Sequence, residues 1–169
     1  MRARAPAPIW IMLRFTNLNA IANTTMSQDS TVSAFSTEEH VRQVGQRIAG
    51  LSEAIHHALR QLTQDLKHVD SSSGYALLTE EYALRARANI LHVDAKRFAR
   101  ADFPATQHEV IATLDDVNTA LNGACSAEQL TELIVGLVLF ATSIACRNNA
   151  TISLLLGDLK QQVAAHAAN

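Results

Sequence analysis

The chain has 169 residues, 48 % of them hydrophobic, and a net charge of −2 at neutral pH, which suits one domain with a proper core. Residues 1–26 hold Arg2, Arg4 and Arg14 and no acid, leaving 11 basic against 16 acidic residues in the remainder, and an acidic body is a poor partner for nucleic acid. Aromatics at 5 % argue against a roomy ligand pocket, and few prolines, few glycines and no hairpin signal exclude a β architecture.

Residues 1–35 read as an extension outside the fold, either unfolded or not translated. MRARAPAPIWIML starts basic, but its apolar run, Ile9 to Leu13, is interrupted at Arg14, short of the roughly seven to fifteen residues of a secretory signal. Translation from Met26 would account for residues 1–25, with the residues after it a flexible lead into the first helix. The rest, residues 36–169, reads as a single all-α domain, a helical bundle of four or five helices.

The first helix is expected from Thr37 to Val69, opened by a capping box of Ser36 and Glu39. Val41, Val44, Ile48, Leu51, Ile55, Leu59, Leu62, Leu66 and Val69 recur by threes and fours. They form an apolar seam about 50 Å long, narrow enough to resemble a coiled-coil surface. Asp70 to Gly74 reads as a turn. The second helix is expected from Gly74 to Ala101, with Leu77, Leu84, Leu91 and Phe98 at intervals of seven and small Ala88 and Ala95 beside that row. The short break predicts a long antiparallel hairpin, and Pro104 stops the run. A short third helix, Ala105 to Leu121, starts with the box Thr106/Glu109 and ends at Asn122-Gly123, where a left-handed glycine cap is expected.

The most apolar stretch is Leu130 to Leu159. It includes Ile134 to Cys146, thirteen residues without charge, and the other helices are expected to cover it. Ser126 and Gln129 fit a capping box, with Cys125 and Leu130 as its staple. Leu130, Leu133, Leu137, Phe140 and Ile144 keep helical spacing, and Asn148, Ile152, Leu155, Leu159 and Val163 continue in phase. One long helix is therefore expected, with Asn148 as the polar residue of its apolar stripe; the alternative is a break at Asn148-Asn149, both poor helix formers, with Asn149 capping a second helix. Glu132 and Arg147 leave fourteen residues between them, short of the roughly twenty of a membrane span. Cys125 and Cys146, at opposite ends of such a helix, lie about 30 Å apart, beyond disulfide reach. Free thiols suit a reducing cytoplasm.

Three constellations invite chemical readings. Glu53 and His56 have the Glu-x-x-His spacing of di-iron bundles, but no second pair exists, and the seam's phase turns both residues to solvent. Arg87 and His92 match the Arg-x4-His spacing of some helical ribonucleases. Roughly one such match is expected by chance, and five helical steps separate the two by about 140°. Arg85, Arg87, Lys96, Arg97 and Arg100 make the second helix basic, a solvated face expected to pair with acidic first and third helices. No catalytic, cofactor-binding or metal-ligating residue is assigned. The expectation is a small cytoplasmic helical bundle acting through protein–protein interaction as a homo-oligomer, with no cofactor. Two alternatives are a helical enzyme or ligand binder using Arg87 and His92, and a membrane-associated protein inserting the central stretch.

Overall fold

The computed structural model describes residues 32–65, 71–123 and 126–167, and among these it is all-α. The helices are α1 (Glu38–Asp65), α2 (Ser71–Val93), α3 (Ala95–Phe98), α4 (Gln107–Leu121), α5 (Ala127–Ala145) and α6 (Asn149–Ala167). They form a ring in which α1 packs on α2, α2 on α5, α5 on α6, α6 on α4, and α4 on α1. Side-chain contacts give the directions. Ser52 of α1 meets Glu81 of α2, while Gly45 lies against Ala88 and His92, so the expected antiparallel hairpin is present. Gln107 reaches His40 and Arg47 pairs with Asp115, which makes α4 parallel to α1.

Close approach in the hairpin depends on small residues. A Cβ on Gly45 would lie 3.1 Å from the Ala88 carbonyl and from the His92 nitrogen. The seam of α1 is spent inside the chain: Val41, Val44, Ile48, Leu51, Ile55 and Leu59 are all buried in the core. Leu66 and Val69 lie outside the described residues. The core is centred on α5, whose Leu130, Ile134, Leu137, Phe140, Ala141 and Ile144 have no exposed surface.

The helix ends differ from expectation in instructive ways. Thr37, not Ser36, caps α1, its Oγ1 accepting the His40 N–H at 3.1 Å while the Ser36 hydroxyl pairs with the His40 ring. Residues expected to form the turn before α2 are helical from Ser71. That helix stops at Val93 rather than running to Ala101, because Asp94 leaves helical geometry (φ −100°, ψ 25°) before the short α3. Ser126 and Gln129 form the expected reciprocal box; Cys125 lies outside the described residues. Thr106 caps α4, and the Glu109 carboxylate turns across the bundle to Lys160. That hydrogen bond holds Glu109 below the usual carboxylate range, against the opposing effect of burial. Its stabilisation is therefore present above the ordinary glutamate range and lost as the pH falls through the lowered value. Both groups are substantially exposed, so Lys160→Met should cost no more than about 1 kcal/mol in neutral-pH melts.

The long apolar helix is a correction: it is two helices. α5 ends at Ala145 with Cys146 as its C-cap, and Arg147 takes a left-handed conformation at φ 59°. The Arg147 N–H donates to Ile144 O and the Asn148 N–H to Ser143 O, the paired bonds of a Schellman closure. Asn148 is exposed rather than set in an apolar stripe, and its Oδ1 caps α6 by accepting the Thr151 N–H at 3.2 Å. Conversely, none of the described glycines has positive φ, and Gly123 instead closes α4 by donating to Ala120 O. The left-handed cap thus falls on an arginine, at a cost of roughly 1–2 kcal/mol. Arg147→Gly should raise stability by about 1 kcal/mol in denaturant titrations. A loss of stability would show that the Arg147 side chain holds the turn.

The first residues described also correct the expected boundary. Ala34 and Phe35 are completely buried, and residues 32–35 lie along the loop before α4. The Ala34 N–H donates to Ala105 O, the Gln107 N–H to Val32 O, and the Arg100 N–H to Phe35 O. The fold therefore begins before residue 36.

Candidate interaction surface

The side chains singled out for chemistry are held apart or already satisfied. Arg87 turns towards α5, where its Nε donates to Thr142 Oγ1, and its second nitrogen donates to the Ala83 carbonyl. His92 is exposed, five helical steps away, so no common cleft joins the two. Glu53 is exposed. His56 departs from the solvent-facing expectation: its Nδ1 leans to within 3.5 Å of the buried Glu81 carboxylate. Glu81 also accepts from Ser52 Oγ at 2.8 Å and from Arg85 at 3.0 Å. This is a polar tie between α1 and α2, with Oε1 accepting from Ser52 and Arg85 and Oε2 facing His56. Among the described residues no three of His, Cys, Asp and Glu converge as a metal site would require.

The basic residues of the second helix do not pair with α1 and α4 as expected. Arg85 and Arg87 are tied down as above, Arg97 lies over Phe98, and Arg100 is buried beside Phe35. Burial, and then the Arg147 charge, push the Arg100 guanidinium below its ordinary value, with Asp102 opposing. An open cleft of about 380 Å³ between α5 and α6 is walled by Gln129, Glu132, Leu133, Gln162 and His166. It presents glutamine amides together with the Glu132 carboxylate and the His166 imidazole, fewer ligands than a metal site requires.

What the described surface does offer is apolar area. α2 has two apolar faces. One carries Leu84, Ala88 and Leu91 into the core. The other carries Tyr75, Tyr82, Ile90 and Val93, exposed to 73 %, 66 %, 45 % and 70 %. At 100° per residue Tyr75, Tyr82 and Val93 fall within about 20° of one another, opposite the buried row, with Ala86 between them. Half-buried Leu78 edges the stripe. Elsewhere, exposed Val135 and Leu139 of α5 line a shallow groove against Leu155 and Asp158 of α6, and Leu154 is exposed on α6. Reading only the sevenfold row Leu77–Phe98 missed this. The signal in the sequence was apolar residues on both sides of one helix, which a single seam cannot use.

By length and composition α5 could cross a membrane (mean hydropathy 1.4), but half of that window is buried inside the bundle. A span continuing to Gly157 would have to pass through the turn at Cys146–Asn148. No family model matches the chain, and no curated protein or solved structure matches it either.

Proposed function

We propose that this protein is a helical-bundle module that acts through protein–protein interaction and associates with itself in the cytoplasm. The observation that carries the reading is the outer stripe of α2. It presents on the order of 450 Å² of apolar side chain, in the range of the largest patch on a typical monomer, which is often functional. Tyrosine is also the residue type that interfaces favour: it supplies wide contact at little entropic cost, with a hydroxyl for the rim. The seam of α1, which the sequence offers as an oligomer contact, is used in the core, so the outer stripe of α2 takes that role.

The test is size-exclusion chromatography with light scattering on the full chain over a concentration series. The parent protein should show a mass rising above that of one chain. Tyr82→Glu with Val93→Glu should return it to a single chain with unchanged helicity and a melting point within the small range of surface substitutions. A parent protein that stays monomeric throughout, or a double variant that assembles like the parent, contradicts the proposal.

A further inference from the structure

We propose that Arg100, Arg147 and the first turn of α6 form a binding site for a small oxyanion, inorganic phosphate. Arg100 is only 9 % exposed, and its Nε and both terminal nitrogens are buried with no hydrogen-bond acceptor. A guanidinium carries five N–H donors and stays charged at any physiological pH. Folded chains seldom leave such a group unsatisfied, because nothing then offsets its desolvation. The Phe35 ring, 5.4 Å from the guanidinium carbon, attracts the charge but supplies no lone pair. Asp102 is a nearby carboxylate that favours the charge, yet its side chain is exposed and bonds none of the three nitrogens.

What surrounds Arg100 adds positive charge. Asn149 Nδ2 donates to the Asp102 carbonyl at 3.4 Å, which sets the loop carrying Arg100 against the start of α6. Arg147 stands just before that start, and its charge works against that of Arg100. Asn148 caps the Thr151 N–H, and the N–H groups of Asn149 and Ala150 have no acceptor within the helix. Two guanidinium groups beside a helix N-terminus favour an anion between them. Asn149 Oδ1 points to which anion, for it too is buried and accepts no hydrogen bond. The occupant must therefore accept from a guanidinium and donate to an amide oxygen. Monohydrogen phosphate does both, taking the arginine N–H groups on its ionised oxygens and donating its P–OH to Oδ1. Sulfate has no proton to give. None of these atoms is exposed, which excludes a large ligand. A small ion enters by turning aside the Arg147 and Asp102 side chains, both of which are exposed.

The experiment is calorimetric titration of the full chain with inorganic phosphate, paired with thermal melts against sodium chloride of matched ionic strength. One phosphate should bind per chain, and a hundredfold excess over Kd should raise the melting temperature by about 5 °C or more. Arg100→Met should lose both responses, while in chloride it should melt above the parent because the unpaired charge is gone. Arg147→Gly should weaken phosphate binding about tenfold, and sulfate should bind the parent about tenfold more weakly than phosphate does. A phosphate response no larger than that of chloride, or one that persists in Arg100→Met, overturns the site. Sulfate binding as tightly as phosphate overturns the choice of ligand. If phosphate has no effect and Asp102→Asn lowers the melting temperature, Asp102 itself satisfies Arg100 and the proposal fails. Anion binding here does not depend on association through α2, so either can fail without the other.

Discussion

Phe35→Ala should cost about 3–5 kcal/mol, the range for removing a buried phenylalanine. The ring has no exposed surface, meets Phe103 edge-on at 5.1 Å, and lies 5.4 Å from the Arg100 guanidinium carbon. Its backbone is as constrained as its side chain: the N–H donates to Gln107 Oε1 and the carbonyl accepts from Arg100. Phe35 also sits at φ 60°, a strained value for a residue with a Cβ. Alanine keeps that strain and loses the ring, whereas Phe35→Gly loses the ring and relieves the strain. Glycine should therefore be the milder substitution by about 1 kcal/mol, the reverse of the usual order. Urea titrations of the full-length variants separate these outcomes. A Phe35→Ala cost under about 1 kcal/mol would show that the ring does not close the core. Deleting residues 2–35 should cost at least as much as Phe35→Ala, contrary to the expectation that the whole segment is dispensable.

Arg100→Met should work in the opposite direction and stabilise the protein by about 1–3 kcal/mol. The three guanidinium nitrogens are buried without a hydrogen-bond partner. A buried charge without such partners costs free energy that an apolar side chain of similar volume avoids. The Phe35 ring face offers cation–π attraction, but that is worth only about 2 kcal/mol when desolvated, and the nearby Arg147 charge works against it. Methionine keeps the unbranched stem packed where it is. Arg100→Ala removes the stem as well and should be destabilising. A higher melting temperature for Met together with a lower one for Ala is the expected pair. If Met destabilises by more than about 1 kcal/mol, the guanidinium is solvated or paired in solution.

Periodicity carried much of the architecture. The buried positions of α1 from Val41 to Leu59 and the row Leu84, Leu91, Phe98 were legible because one face of each helix is continuously apolar. Ser126 and Gln129 marked the start of α5 because a capping box needs both side chains at fixed spacing. The break after α5 was legible only as an alternative, marked by Asn148-Asn149, and for a physical reason. Sequence rules look for glycine where the chain turns left-handed, and here Arg147 adopts that conformation, held by two backbone hydrogen bonds. Retained phase across the break misled because α5 and α6 both pack on the same core, so Ile144 and Ile152 are buried in either arrangement. Phe35 lacked any signal, since it belongs to no helix and is fixed by contacts to residues about seventy positions away. The outer stripe of α2 was present in the sequence but was concealed by the stronger row on the opposite face.

The central claim, that the outer face of α2 is the contact surface, can be measured through tyrosine itself. The chain contains two tyrosines, Tyr75 and Tyr82, and both lie on this stripe, so tyrosine-selective chemical modification reports on no other part of the molecule. Modification rates should be those of exposed phenols at low protein concentration and should fall as concentration rises, in step with the mass from light scattering. Fully modified protein should stay a single chain. Rates that remain those of an exposed phenol while the mass increases would place the contact on another face and contradict the account.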